Sequence, residues 1–336
     1  MLSKKGVLFG IVGKMKPVHL VYCENYTIES QGGFSSTIDL NKGKKIHDKL
    51  VLEGLVGENE FINPGTISIE ELSEVHTIDF IYNLNQDPSL FFTLSGLELL
   101  ISPSVEELLK HFDPRPYFFS IVNGTKVAAL LAWERKGIAV NLGGGFHHAG
   151  IVSGKDMYGG YCVIADIPVA IHHLRKSYSE IQNILIIDCD QHCGDGNTFT
   201  FEDDPTVFTF SIHQSQYFRP RVKKNNLDIV TGRNPGTKRY ISLLESGLKQ
   251  VYSRFSPDIV FYIEGADPYI NDLGGGMAIS KEGLLKRDLM VYEGVRSRQL
   301  PLVVVLGGGY GPATWAIHYQ FISEILKMSL SRQMGI

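Results

Sequence analysis

The sequence predicts an α/β fold: an open, mostly parallel β-sheet flanked by helices on both faces, with an active site at the carboxyl ends of its strands. Three observations carry this expectation. The first is a set of short apolar runs, "GIAVNLGGGFHH" (137–148), "NILIIDCDQH" (183–192), "TVFTFSIH" (206–213), "DIVFYIEGAD" (258–267) and "PLVVVLGGGY" (301–310). They are rich in β-branched residues and lack polar alternation, as strands covered on both faces do. The second is that stretches of helical period lie between them from about residue 120 onward, which argues for βαβ units. The third is that the runs end in glycines or polar residues, and open α/β sheets bind ligands outside those ends.

Taken in order, "VHLVYCENY" (18–26) reads as a first strand and "NKGKKIHDKLVLEGLV" (41–56) as a helix. The segment 89–112 reads as two apolar helical pieces broken at Pro103. Helices are expected over 126–137, 166–181, 239–255 and 280–298; the last has Ser280 as N-cap and basic residues in its final turn. His172-His173 lies mid-helix and reads as a partly buried structural pair. No Gly/Ser linker, low-complexity tract or internal repeat divides the chain. One catalytic domain over 1–336 is therefore expected, with a core at 18–330 and an N-terminal extension at 1–17.

Composition narrows the class. The chain is 43% hydrophobic and 20% charged with a formal net charge of −4, so no basic field announces a nucleic-acid binder. "RPRVKK" (219–224) is a short run that reads as a solvated loop. The four cysteines, Cys23, Cys162, Cys189 and Cys193, are too few and too irregular for a disulfide framework, so a reducing cytoplasmic or nuclear compartment is expected. Cys189-x-x-x-Cys193 suggests thiolate ligation, but the carboxylates around it are better candidates. No run reaches the ~18 apolar residues of a membrane span, and the N-terminal patch is too broken for a signal peptide.

The chemistry concentrates at the strand ends. "IIDCDQHCGDGN" (186–197) places Asp188, Asp190, His192 and Asp195 where an apolar run stops. Asp190 and His192 point to the same side of an extended stretch. With Asp267 from another strand they make two oxygens and one nitrogen, a set that suits Zn²⁺ and leaves a position open. His147-His148 follows "NLGGGF", where glycines let backbone approach a ligand closely. Two imidazoles there can serve as general base and general acid, with Asp188 and Asp195 as spare carboxylates to orient them. Tyr310 can donate to a developing oxyanion. "NDLGGGMAIS" (271–280) has neither the lysine of a phosphate loop nor dinucleotide spacing.

Together, "GGGFHH", "GGYCVIADI" (159–167), "IIDCDQHCGDGN", "EGADP" (264–268), "DLGGGMAIS" and "LGGGY" resemble the zinc-dependent histone deacetylase family, of arginase/deacetylase fold, in order and spacing. Similarity is close over about two thirds of the chain and weaker at "LVYCENY" and "EVHT" (74–77). The GGGFHH form looks like the class IV branch. The resemblance implies Zn²⁺ held by Asp190, His192 and Asp267. It makes His148 the general base and then acid, His147 its electrostatic partner, Asp188 the group behind His147 and Asp195 the group behind His148, with Tyr310 polarising the acyl carbonyl. It also implies K⁺ at an inner site of Asp188 and Ser211 with carbonyls of Asp190, His192 and Ile212, and an outer site at Phe201, Asp204 and Val207. The substrate channel would be walled by Gly145, Phe146 and Tyr161, with Phe218 opposite and Leu273 at its floor. The implied partner is an acylated lysine of a protein or peptide, histones and long acyl chains included, or else a small acylamine such as an acetylpolyamine.

The sequence departs from the family in places. Asp195 stands where class IV proteins tend to carry asparagine, which should raise the proton affinity of His148. Tyr161 replaces phenylalanine, the loop 148–160 is long, and 215–232 lacks the usual Phe-Pro-Gly rim. The acidic rim residue of class I enzymes has no counterpart here. Two other readings are weaker. An Asp-x-Asp phosphatase loop expects Thr or Val where His192 stands and leaves His147, His148 and Asp267 unexplained. A catalytically weak acyl-lysine reader should have lost a ligand, a histidine or the tyrosine, and none is missing.

Overall fold

The computed structural model describes residues 18–28, 35–36, 38–102, 104–215 and 224–333. Phe218, Pro103 and the basic run 219–223 lie outside them. Eight strands form one all-parallel sheet: β1 (Val18–Val21), β2 (Phe61–Ile62), β3 (Ile138–Asn141), β4 (Ile184–Asp188), β5 (Val207–His213), β6 (Asn226–Val230), β7 (Ile259–Glu264) and β8 (Leu302–Leu306). Their spatial order is β6-β5-β4-β7-β8-β3-β1-β2. The four strands expected to carry the site, β4, β7, β8 and β3, are consecutive in that order.

Each central strand is apolar on both faces because each face is covered. Ile184 and Ile186 join one buried cluster and Leu185 and Ile187 the other, the alternation a strand imposes. The helices α2 (Pro114–Glu134) and α3 (Asp166–Ser177) pack on the first face through Ala128, Ala132, Ala170 and Leu174. On the other lie α5 (Gly236–Arg254), α6 (Lys281–Arg296) and α7 (Trp315–Gln333), through Leu244, Val251, Leu284, Val291 and Phe321. The remaining helices include α1 (Lys42–Leu52) and the short α4 (Asp195–Thr200). Among the described residues no helix is long and apolar enough to cross a membrane.

Three local expectations are corrected. The helix expected at 126–137 is the second half of α2, which starts at Pro114 with Asp113 as N-cap accepting from the Arg115 N–H. Its first turns are buried almost all round, which erases the amphipathic period. The segment 89–112 holds a short helix (Leu90–Thr93), a 3₁₀ turn (Leu97–Leu100) and a helix (Val105–Leu109), so its apolar content came from packing rather than helix length. Within the expected loop 215–232, Asn226–Val230 forms the edge strand β6, paired in parallel with β5. The other expected helices, 41–56, 166–181, 239–255 and 280–298, match α1, α3, α5 and α6 to within a few residues at each end, whereas α4, α7 and the helices Ile69–Ser73 and Ile78–Gln86 were not expected. Ser280 caps α6 by accepting from the Gly283 N–H.

Candidate active site

The apolar run of β4 ends at Asp188, and the chain turns at once. The Asp190 N–H donates to Asp188 Oδ1 (3.0 Å) and the His192 N–H to Asp190 Oδ1 (2.8 Å). Asp267 enters from the end of the neighbouring β7, so donor atoms of Asp190, His192 and Asp267 lie within 4.8 Å of one another. His192 Nδ1 is 2.9 Å from both Asp190 Oδ1 and Asp267 Oδ2. Both carboxylates are buried, and Asp267 Oδ2 meets no donor other than this close approach of His192. Gly308, just past β8, donates its N–H to Asp190 Oδ2 (2.7 Å). A Cβ at Gly308 would stand 2.7 Å from Asp190 Oδ2 and 2.8 Å from Asp267 Oδ2, so only glycine fits. Burial disfavours a charged His192, yet the two carboxylates overcome it and raise its pKa to about 11. The cluster is built to hold positive charge. Two buried carboxylates and an imidazole with an open side suit a zinc-class ion.

Beside it stand His147 and His148, their ring centroids 4.2 Å apart. Each has its own carboxylate: His147 Nδ1 is 2.7 Å from Asp188 Oδ2, and His148 Nδ1 is 2.6 Å from Asp195 Oδ1. A carboxylate only accepts, so both Nδ1 atoms carry the proton and Nε2 is left as the free nitrogen of each ring, that of His147 3.7 Å from Asp190 Oδ1. The environments push the pair apart. Burial opposes charge on His147, but Asp188 and Asp190 outweigh it and raise its pKa to about 9. At His148 burial and the neighbouring His147 prevail over Asp195, and the pKa falls below the ordinary imidazole value. One ring is thus held as an imidazolium and the other as a neutral base. Gly160 makes room for the second ring: a Cβ there would meet His148 Cδ2 at 2.4 Å.

Tyr310 completes the group, its ring 6.1 Å from that of His192 and 5.8 Å from that of Tyr161. Burial and the carboxylates of Asp267 and Asp190 push its phenol well above the ordinary range, so it stays a donor. Its backbone N–H donates to Asp272 Oδ2 (2.7 Å). A pocket is lined by Gly145, Phe146, Tyr161, Asp190 and Tyr310 together with the buried Tyr26, Phe118, Ile121 and Leu142. Leu273 is not at its floor: it is 70% exposed, near the Tyr310 backbone and Gly311, because the Gly-rich loop turns it outward.

Of the expected cation ligands, Asp188 and Ser211 are register partners on adjacent strands. The carbonyls of Phe201, Asp204 and Val207 also converge, but on the side-chain amide of Asn225, which donates to them at 2.9, 2.9 and 3.0 Å. An amide N–H stands where a monovalent cation was expected.

Residues 38–325 match the model of the histone deacetylase domain. The chain belongs to the histone deacetylase family. It is 29% identical to histone deacetylase 2 of Arabidopsis thaliana over 94% of this chain and 80% of that protein. It is 36% identical to an uncharacterized protein of Picosynechococcus over 56% of this chain, which spans 61% of that relative's length. Among solved structures, the HDA15 HD domain superposes with a TM-score of 0.72 at 18% identity, covering 95% of this chain and 90% of that one. Acetylpolyamine aminohydrolase from Burkholderia pseudomallei gives 0.69 at 16%, covering 91% and 98%.

Several residues that position this site were not singled out from the sequence. Asp166, 1% exposed at the start of α3, accepts from the N–H groups of Gly145 and Phe146 (2.9 Å each) and so fixes the turn before the histidines. Its signal lay inside "GGYCVIADI". Arg287 is fully buried in α6 and donates to the carbonyls of Cys189 (3.1 Å) and Gly265 (2.6 Å), tying together the two segments that carry the ligand cluster. Lys42, in α1, lines the pocket and donates to Leu306 O at 3.1 Å and Gly307 O at 2.5 Å. His76 accepts from the Ala165 N–H at Nε2 (3.0 Å), which leaves Nδ1–H to donate to Asp156 Oδ1 (2.6 Å). That bond anchors the long 148–160 loop, an antiparallel hairpin of Gly150–Val152 and Lys155–Met157.

Proposed function

We propose that this histone deacetylase-family protein is a Zn²⁺-dependent hydrolase that removes acyl groups from the Nε of lysine. The observation that carries the reading is the pair of histidines, each backed by its own carboxylate and beside a two-carboxylate, one-imidazole cluster with a phenol nearby. Asp190, His192 and Asp267 would hold the ion. When bound it supplies Lewis-acid polarisation of the acyl carbonyl and lowers the pKa of a water. His148 Nε2 takes the proton of the attacking water and returns it to the leaving lysine amine, so that the amine departs neutral. His147, held as an imidazolium against Asp188, offers positive charge to the developing oxyanion without taking up the substrate's proton. Tyr310 donates its hydroxyl to that oxyanion. We place a monovalent cation such as K⁺ at Asp188 and Ser211, with the carbonyls of Asp190, His192 and Ile212, where it would temper the pull of Asp188 on His147. At the outer carbonyls an ion would first have to displace Asn225.

The inner pocket supports acyl groups longer than acetyl. With the carbonyl at Tyr310, the chain would extend toward Tyr26, Phe118, Ile121 and Leu142, an apolar interior that favours methylenes. Phe146 and Tyr161 offer flat walls to the lysine stem. A small acylamine, the class named for the Burkholderia neighbour, is the competing substrate. Mass spectrometry of zinc-loaded protein with acetyl-, butyryl-, octanoyl- and myristoyl-lysine peptides and an acetylated polyamine decides between them. Turnover of the longer acyl-lysines, abolished in Asp267→Ala, is expected. Turnover of the polyamine alone would overturn the lysine assignment, and no turnover of any compound would overturn the hydrolase.

A further inference from the structure

A second cluster of possible ligands lies among residues that do not line the substrate pocket. Ser211, His213 and Asp228 project from one face of β5 and β6, since Asp228 is the register partner of Ser211 and His213 lies two residues further along. Cys193 reaches them from the turn after β4. One donor atom from each of Cys193, His213 and Asp228 lies within 4.8 Å of the others. Cys193 and His213 are buried, His213 completely, and Asp228 is partly open to solvent.

The hydrogen bonding of His213 leaves one nitrogen without a role. Nδ1 is 2.8 Å from Ser211 Oγ, whereas Nε2 is buried without any partner. An unpaired buried ring nitrogen is costly, because it gives up its hydrogen bond to water without a replacement. Ligation removes that cost: with the proton on Nδ1 and given to Ser211, the Nε2 lone pair is free.

We propose that Cys193, His213 and Asp228 form a second metal site, distinct from the Asp190–His192–Asp267 cluster, that takes a zinc-class divalent ion. One sulfur, one nitrogen and one oxygen are ligands Zn²⁺ accepts, and the solvent side at Asp228 leaves the fourth position to water. Binding displaces the Cys193 thiol proton to solvent as the sulfur–metal bond forms. The sulfur separates the two sites chemically, because the Asp190–His192–Asp267 set contains none. The proposal does not depend on the hydrolase reading.

Cobalt(II) is the probe. Metal-free full-length protein titrated with Co²⁺ should bind two equivalents and develop a near-ultraviolet thiolate-to-cobalt charge-transfer band. Asp267→Ala should lose one equivalent and keep the band. Cys193→Ser should lose the band and keep one equivalent. Asp228→Ala, a change at a partly exposed position, should weaken the band-forming site by about tenfold or more. The absence of the band in cobalt-loaded wild type overturns the site, as does its persistence in Cys193→Ser, which would assign it to another cysteine. If Cys193→Ser does not fold, the wild-type band and its weakening in Asp228→Ala carry the decision.

Discussion

Asp166→Asn replaces one oxygen of a buried carboxylate by an amide and tests whether the glycine turn is held by charge. Oδ2 accepts from Thr125 Oγ1 (2.7 Å) and the Gly145 N–H, and Oδ1 from the Phe146 N–H. Burial pushes this carboxyl above the ordinary range, but every partner is a donor. Thr125 Oγ1 itself accepts from Asn141 Nδ2 (3.0 Å), so its proton points at Asp166. A protonated carboxyl would find no acceptor, and the ionised form is the one this geometry holds. Asparagine can keep the Thr125 and Gly145 bonds as neutral ones, and its NH₂ then faces the Phe146 N–H. Losing one charge-assisted bond costs about 2 kcal/mol, and weakening two others adds about 1, so the variant should be about 3 kcal/mol less stable. Urea denaturation reads this directly. The loosened turn also displaces His147 and His148, and a shift of about 1 Å there should lower kcat by roughly a hundredfold with metal content unchanged. Stability within about 0.5 kcal/mol of wild type, with normal kcat, would refute the reasoning.

The remaining predictions divide the site into parts. Asp267→Ala should lose the ion of that cluster and activity together, whereas Tyr310→Phe should keep the ion and lose most turnover; metal analysis beside kcat tells them apart, and wild-type turnover in Tyr310→Phe would remove the tyrosine's role. Asp195 raises the proton affinity of His148, so Asp195→Asn should move the acidic limb of the kcat/KM profile to lower pH by roughly 1 unit; an unmoved limb would remove Asp195 from that role. Arg287→Met strands the buried Glu264 and Asp288, 3.3 and 2.6 Å from the guanidinium, and should cost about 3–5 kcal/mol; an unchanged Tm would count against it. Burial pushes Asp156 upward, but His76 and Thr77 hold its carboxyl below the ordinary range. A depressed carboxyl contributes stability above its unfolded pKa of about 3.9, and loses it as pH falls through the folded value. The stability gap between wild type and Asp156→Asn should therefore narrow in acid, and a gap independent of pH would exclude an ionised Asp156.

What could be read from the chain alone is what local geometry decides. Buried parallel strands are apolar along most of their length, and Ser280 announces the start of α6, so six of the eight strands and the helices α1, α3, α5 and α6 were legible. The chemical groups were legible for the same reason: Asp188, Asp190, His192 and Asp195 crowd into one strand end, and His147 and His148 are neighbours in sequence. The start of α2 was hidden because a helix packed on nearly all sides has no polar face to set its period. The direction of Leu273 was hidden because loop backbone, not residue type, aims it. Most of what positions the site pairs residues far apart in sequence. Asp166 reaches Gly145 across 21 positions, His76 reaches Asp156 across 80, and Arg287 reaches the Cys189 carbonyl across 98. Cys193, His213 and Asp228 meet only because β6 adds to the edge beside β5. The sequence by itself determined which groups exist and the local backbone that presents them. Only the tertiary structure decided which of them touch, because a hydrogen bond or a ligand set depends on separation in space, and that is fixed by how the two apolar faces of the sheet are covered.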